Sequence, residues 1–86
     1  MNLVEFATKL EEAYKFPCEY KFKFVIPNTD ANESGLRSIL NGCEVSTRNS
    51  KTDKYVSFTA SKTVASSGEI ISIYSKAAKI PGIVSL

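Results

Sequence analysis

"KFPCEYKFKFVIP", residues 15–27, carries an apolar side chain at every second position between two prolines. Tyr20, Phe22, Phe24 and Ile26 alternate with Glu19, Lys21, Lys23 and Val25. A repeat of two is the period of a half-buried β-strand, and Pro27 marks its end. Such a strand raises a choice between two faces. Burying Glu19, Lys21 and Lys23 without partners would cost several kcal/mol each, whereas each buried large apolar side chain contributes roughly 1.5–3 kcal/mol. The aromatics therefore point into a core, and the lysines point away from it.

Upstream the period changes. Leu3, Phe6, Ala7, Leu10 and Tyr14 recur at spacings of three and four, with Glu5, Lys9, Glu11 and Glu12 on the opposite side. This predicts an amphipathic N-terminal helix over residues 1–15, capped by Asn2 and stopped before Pro17. It packs either on the rest of the chain, residues 16–86, or on a partner.

Downstream, "NTDANESGLRSILNG" predicts a second helix, with Asp30 as its cap and Glu33 completing a capping box. Its apolar stripe is Leu36, Ile39 and Leu40, and Asn41-Gly42 supply the stop. A hairpin follows, with strands Cys43–Arg48 and Tyr55–Ser61 around a polar turn. Val56, Phe58 and Ala60 are its inward residues. Ser66 and Glu69 form a second capping box before a helix with Ile70, Ile73, Tyr74 and Ala77 on one side. Lys76 and Lys79 fall in its last turn, where the helix dipole favours positive charge. Pro81-Gly82 end it, and "IVSL" is a short final strand.

After the leading helix the order is βαββαβ. Right-handed crossovers then place both helices on one face of a four-stranded antiparallel sheet, with strand order 4-1-3-2. This is an α+β, ferredoxin-like two-layer sandwich. The uncovered face carries Glu19, Lys21 and Lys23 beside Tyr55, Ser57, Thr59 and Ser61, with Glu44, Ser46 and Arg48 from the edge strand.

Composition sets outer limits. The chain of 86 residues is 43% hydrophobic and 23% charged, which suits one folded domain. Its net charge of +2 gives no concentrated basic stripe for nucleic acid. No apolar run approaches the ~20 residues of a membrane helix. The acidic N-terminal stretch lacks the pattern of a signal peptide. A cytoplasmic location is the expectation. With no histidine and only Cys18 and Cys43, neither in a CxxC pair, a structural metal is not expected. Both cysteines read as small core residues.

Several functions common to this fold can be tested by motif. RNA recognition motifs stack bases on two or three aromatics of the open face, and here Tyr55 stands alone. Nucleic-acid binding through Lys21, Lys23, Arg48 and Tyr55 is therefore the alternative, not the leading reading. Copper chaperones need two cysteines in the loop after the first strand, and "PNTDANESG" has none. Acylphosphatases hold phosphate there with an arginine, whereas this loop offers Asp30 and Glu33. Nucleophilic catalysis needs an activated nucleophile beside a base, and no such grouping occurs.

At "FPCEYKFKFVIP", "EVSTRNSKTDKYVSFTA" and "EIISIYSKAAKIPGIVSL" the chain resembles the YbeD-like family of small uncharacterised bacterial proteins. The likeness spans residues 16–86, with the N-terminal helix as a variable addition. The resemblance implies a ferredoxin-like domain similar to ACT regulatory domains, which bind amino acids or other small effectors, often at dimer interfaces. It carries over no catalytic residue. The ACT ligand loop corresponds to Pro27–Leu36, where Gly35 stands inside the predicted helix instead of at the turn.

The expectation is a non-enzymatic regulatory or interaction domain that requires no cofactor. It would bind a small effector, a protein partner or a second copy of itself. Lys21, Lys23, Tyr55, Ser57 and Thr59 on the open face, with Asn28, Thr29 and Asp30 in the first loop, are the candidate contacts.

Overall fold

The alternating stretch is the strand β1 (Cys18–Pro27) in the computed structural model, which describes residues 2–86. It is preceded by α1 (Leu3–Ala13) and followed by α2 (Asp30–Ile39), β2 (Glu44–Asn49), β3 (Tyr55–Val64), α3 (Ser67–Ala77) and β4 (Val84–Ser85). The strands form one antiparallel sheet of four in the order β2-β3-β1-β4. Read from the other edge this is 4-1-3-2, an arrangement compatible with a ferredoxin-like plan.

β1 divides its two faces as its alternation predicts. Phe22, Phe24 and Ile26 are fully buried while Lys21 and Lys23 are exposed. The register sets Phe22 opposite Ala60, Phe24 opposite Phe58 and Ile26 opposite Val56, so one face of the central pair is continuously apolar. Leu36 from α2, Leu40 just past its end, and Ile70, Ile73 and Ala77 from α3 close over it.

Tyr20 lies at the margin of this core. Its hydroxyl meets that of Tyr74 at 3.3 Å, and it joins a ring cluster that reaches α1. Phe6 packs edge-on against Tyr74 at 5.7 Å, and Tyr14 against Tyr20 at 5.5 Å. Leu10 is buried, and the Ser67 hydroxyl donates to the Glu11 carboxylate at 3.1 Å. Thus α1 packs on its own chain, against α3 and the start of β1. The two ends of its apolar stripe, Leu3 and Tyr14, remain exposed.

Several local expectations are corrected. Asp30 is not the cap of α2 but its first residue, and the Thr29 hydroxyl accepts from the Asn32 N–H at 3.1 Å. Thr29 has the extended backbone that a cap needs. Glu33 is then free to pair with Arg37 at 3.2 Å, and the Arg37 guanidinium lies over the Phe58 ring. Ser66 caps α3 by backbone position, without a side-chain hydrogen bond. Glu69 reaches back one residue further, accepting from the Ala65 N–H at 3.1 Å. The hairpin strands are displaced as well: Cys43 falls outside β2, and β3 continues past Ser61 to the buried Val64.

The hairpin turn is held from both sides. Asp53 takes a left-handed conformation, φ 57°, which Asp tolerates better than most residues. Its carbonyl accepts from the Asn28 side chain at 2.9 Å, and its carboxylate from the Asn49 side chain at 3.2 Å.

Candidate functional site

The open face of the sheet is built by register. Lys21 stands opposite Ser61, Lys23 opposite Thr59, Val25 opposite Ser57 and Pro27 opposite Tyr55. Across β3, Ser61 pairs with Glu44, Thr59 with Ser46 and Ser57 with Arg48. Side chains of directly paired residues share a face. Three rows therefore cross the surface: Lys21–Ser61–Glu44, Lys23–Thr59–Ser46 and Val25–Ser57–Arg48. A depression of about 360 Å³ lies among Lys21, Glu44, Ser46, Thr59 and Ser61. A second, of about 270 Å³, lies among Val25, Arg48, Ser50, Tyr55 and Ser57.

Five of the eight candidate residues therefore come together: Lys21, Lys23, Tyr55, Ser57 and Thr59. The loop residues do not join them. Asn28 lies at the same end of the sheet as Tyr55, but its amide is engaged by Asp53 and its N–H by the Lys54 carbonyl at 2.9 Å. Thr29 uses its hydroxyl to cap α2. Asp30 is exposed in the first turn of that helix, in the layer on the far side of the sheet, and borders a depression with Glu33, Ser34 and Arg37.

The open face also holds residues that the linear reading missed. Val84 pairs with Val25, and the Leu86 N–H donates to the Lys23 carbonyl at 2.9 Å. Continuing that register places Leu86 on the same face as Lys23. Val84 and Leu86 are both more than half exposed, so an apolar strip of Val25, Val84 and Leu86 runs beside the lysines. The signal was the terminal "IVSL", but a strand of two residues fixes no face until its partner register is known.

A groove of about 570 Å³ lies on the helical side, among Ser38, Lys62, Ser66, Glu69, Ser72 and Lys76. Lys62 was missed because the predicted β3 stopped at Ser61, one residue short of it.

The cysteines are half-buried and unbridged. Burial pushes the Cys43 thiol above its ordinary range, and the positive charge of Lys62 only partly opposes this. A raised thiol is mostly protonated at neutral pH and is a weak nucleophile. Tyr74 is shifted in the same sense and further, first by burial, then by its hydrogen bond to Tyr20 and by the charges of Tyr20 and Tyr14. Among the described residues, no three His, Cys, Asp or Glu side chains stand close enough to hold a metal ion. No helix among them is long and apolar enough to cross a membrane.

Residues 11–86 match a family described as a protein of unknown function, DUF493. The chain belongs to this family. The match starts inside α1 and runs through all four strands, so the last turn of that helix lies within the DUF493 region. No curated protein and no solved structure matches the chain. The family is an uncharacterised one, and its description assigns no reaction, ligand or partner.

Proposed function

We propose that this DUF493 protein is a cytoplasmic, non-enzymatic interaction domain of ferredoxin-like, ACT-like character, and that the open sheet face is its contact surface. The observation that carries this reading is the pairing of two chemistries on one uncovered face. Lys21 and Lys23, with Thr59 and Ser46, offer cations and hydroxyls. Val25, Val84 and Leu86 beside them offer exposed apolar area. A small effector with an anionic group and an apolar portion fits this surface, as does a protein segment of the same character.

The Cys43 thiol, pushed up by burial, is a weak nucleophile at neutral pH, which supports binding over catalysis. Asn28 and Thr29 stand apart from the contact surface and hold the hairpin and α2 in place.

A ligand specific for the folded state raises the melting temperature by mass action. A thermal-shift screen of amino acids, acyl cofactors and nucleotides is expected to give at least one stabilising compound. Its effect should disappear in Lys23→Glu, and its amide shift perturbations should map to β1 and β3. If no compound shifts the melting temperature, a protein partner takes the place of the effector. Tight binding of an oligonucleotide in low salt, where electrostatic association is strongest, would replace the proposal with RNA recognition.

A further inference from the structure

The outer edge of β2 carries a pattern of its own. β2 occupies one end of the sheet and hydrogen-bonds to β3 alone. All its side chains are exposed except the half-buried Val45. The hairpin shows which main-chain groups face outward. The Ser50 N–H donates to the Tyr55 carbonyl at 2.9 Å, so Ser50 points its backbone at β3. Successive residues of an antiparallel strand alternate in this respect. Glu44, Ser46 and Arg48 therefore face β3 with their main chain, and Val45, Thr47 and Asn49 present free N–H and C=O groups to the outside.

We propose that β2 is a dimerisation edge. Two copies pair their β2 strands antiparallel about a two-fold axis through Ser46, joining two four-stranded sheets into one. In this register Val45 of one copy faces Thr47 of the other, and both residues present their outward N–H and C=O for exchange. Glu44 of one copy faces Arg48 of the other, and symmetry repeats the pair. These two residues occupy non-hydrogen-bonded positions, where the chains approach to about 4.5 Å between Cα atoms and side chains are closest.

The charges select this register from its neighbours. Centring the pairing on Thr47 puts Arg48 opposite Ser46, and centring it on Val45 puts Glu44 opposite Ser46. A slip of one residue turns one copy's roofed side onto the other's open side. Charged residues on an edge strand ordinarily keep such edges apart. Here they are of opposite sign and equally distant from Ser46, so among the pairings centred on Val45, Ser46 and Thr47 none sets like charges opposite each other, and only the one on Ser46 sets the opposite charges together. β4, the other edge, spans two residues and offers no comparable ladder.

An interface of one short strand pair belongs to the small, exchangeable class, so dimerisation should depend on concentration. Sedimentation equilibrium on the full chain is expected to show monomer and dimer in exchange. Arg48→Glu sets two like-charged pairs across the axis and should raise the dissociation constant about tenfold, and Glu44→Arg should do the same. The double exchange, Glu44→Arg with Arg48→Glu, should restore the wild-type value. Ser46→Cys in a Cys18→Ser, Cys43→Ser background should cross-link on mild oxidation, because the two thiols meet at the axis. Circular dichroism of each variant separates loss of pairing from loss of fold. A wild-type chain that stays monomeric at millimolar concentration would overturn the proposal, as would a correctly folded double exchange that stays monomeric. Glu44 and Arg48 also border the open face, so sedimentation is read on the protein without added ligand, and its outcome does not depend on whether an effector binds there.

Discussion

The two faces of β1 are built from neighbouring residues and behave as different materials. Phe22, Phe24 and Ile26 have no exposure at all, while Lys21 and Lys23 between them are in open solvent. Nothing in the backbone distinguishes the two sets. The difference comes from what is laid against each: α2 and α3 on one side, with α1 outside α3, and no helix or strand among the described residues on the other. One face consequently holds the fold together, and the other can change its chemistry without disturbing it. A binding function placed on the open face would cost this protein little stability.

This contrast is broken most directly by truncating one residue from each face. Phe24→Ala removes a fully buried ring that contacts Tyr74 at 5.6 Å and stacks on Phe22, leaving a cavity under α3. It should destabilise the protein by about 3–5 kcal/mol, measured by urea unfolding. In a domain of this size such a loss could leave no folded population, and Phe24→Leu, which keeps most of the volume, should retain the fold. A small effect of Phe24→Ala would show that the roofed face is not the seat of stability.

The roof itself has an inner and an outer part. α2 and α3 cover the sheet directly, whereas α1 lies outside α3 and is anchored by Leu10, by Phe6 against Tyr74 and by the Ser67–Glu11 hydrogen bond. Leu10→Ala should cost about 2–3 kcal/mol if α1 unfolds together with the sheet. Hydrogen exchange distinguishes the two modes. Cooperative unfolding lowers protection in α1 and β1 equally, and local detachment lowers it in α1 alone.

A third, smaller effect is set by pH at the seam between α1, α3 and β1. The folded state holds Tyr74 protonated above its ordinary range, mainly through burial. Its contribution is complete below the unfolded tyrosine pKa of about 10 and is lost as pH rises toward the higher folded value. Tyr74→Phe gives up the Tyr20 hydrogen bond and should be less stable by about 1 kcal/mol at pH 7. Above pH 10 that deficit should shrink and then change sign, because the variant no longer carries a group that must ionise on unfolding. Parallel curves for the two proteins across this range would mean that Tyr74 is solvated in the folded state.

The roofed face was legible in the sequence because burial acts on apolar pattern, and the pattern was dense. Phe22, Phe58, Leu36 and Ile70 each follow from a period and a sign of hydropathy. The caps were less legible: Asp30 and Thr29 are adjacent residues of similar capping propensity, and only backbone geometry selects between them. The open face was half legible. Lys21, Lys23, Ser57 and Thr59 follow by alternation from the core residues beside them. Val84 and Leu86 do not, and neither does Lys62 on the roofed side, because each depends on where a strand ends or how it registers with a distant partner. Asn28 and Thr29 looked like loop contacts because a sequence lists polar groups without saying which are already engaged.

The smallest expected effect is the most informative about the open face. Lys23→Ala removes a charge from an exposed position with no ion-pair partner within the described residues, and Thr59 beside it is only half-buried. Surface changes of this kind fall within about 0.5 kcal/mol of the parent. Unfolding of Lys23→Ala should therefore superimpose on that of the wild type, with the same midpoint and slope. A clear loss of stability would mean that Lys23 supports the sheet, and the division of labour between the faces would fail. A clear gain would point the other way, toward a lysine kept at a cost to the fold, as expected of a residue retained for binding. Coincident curves together with loss of a ligand-induced shift would separate the two roles at one residue, next to Phe24, where the same truncation should nearly unfold the chain.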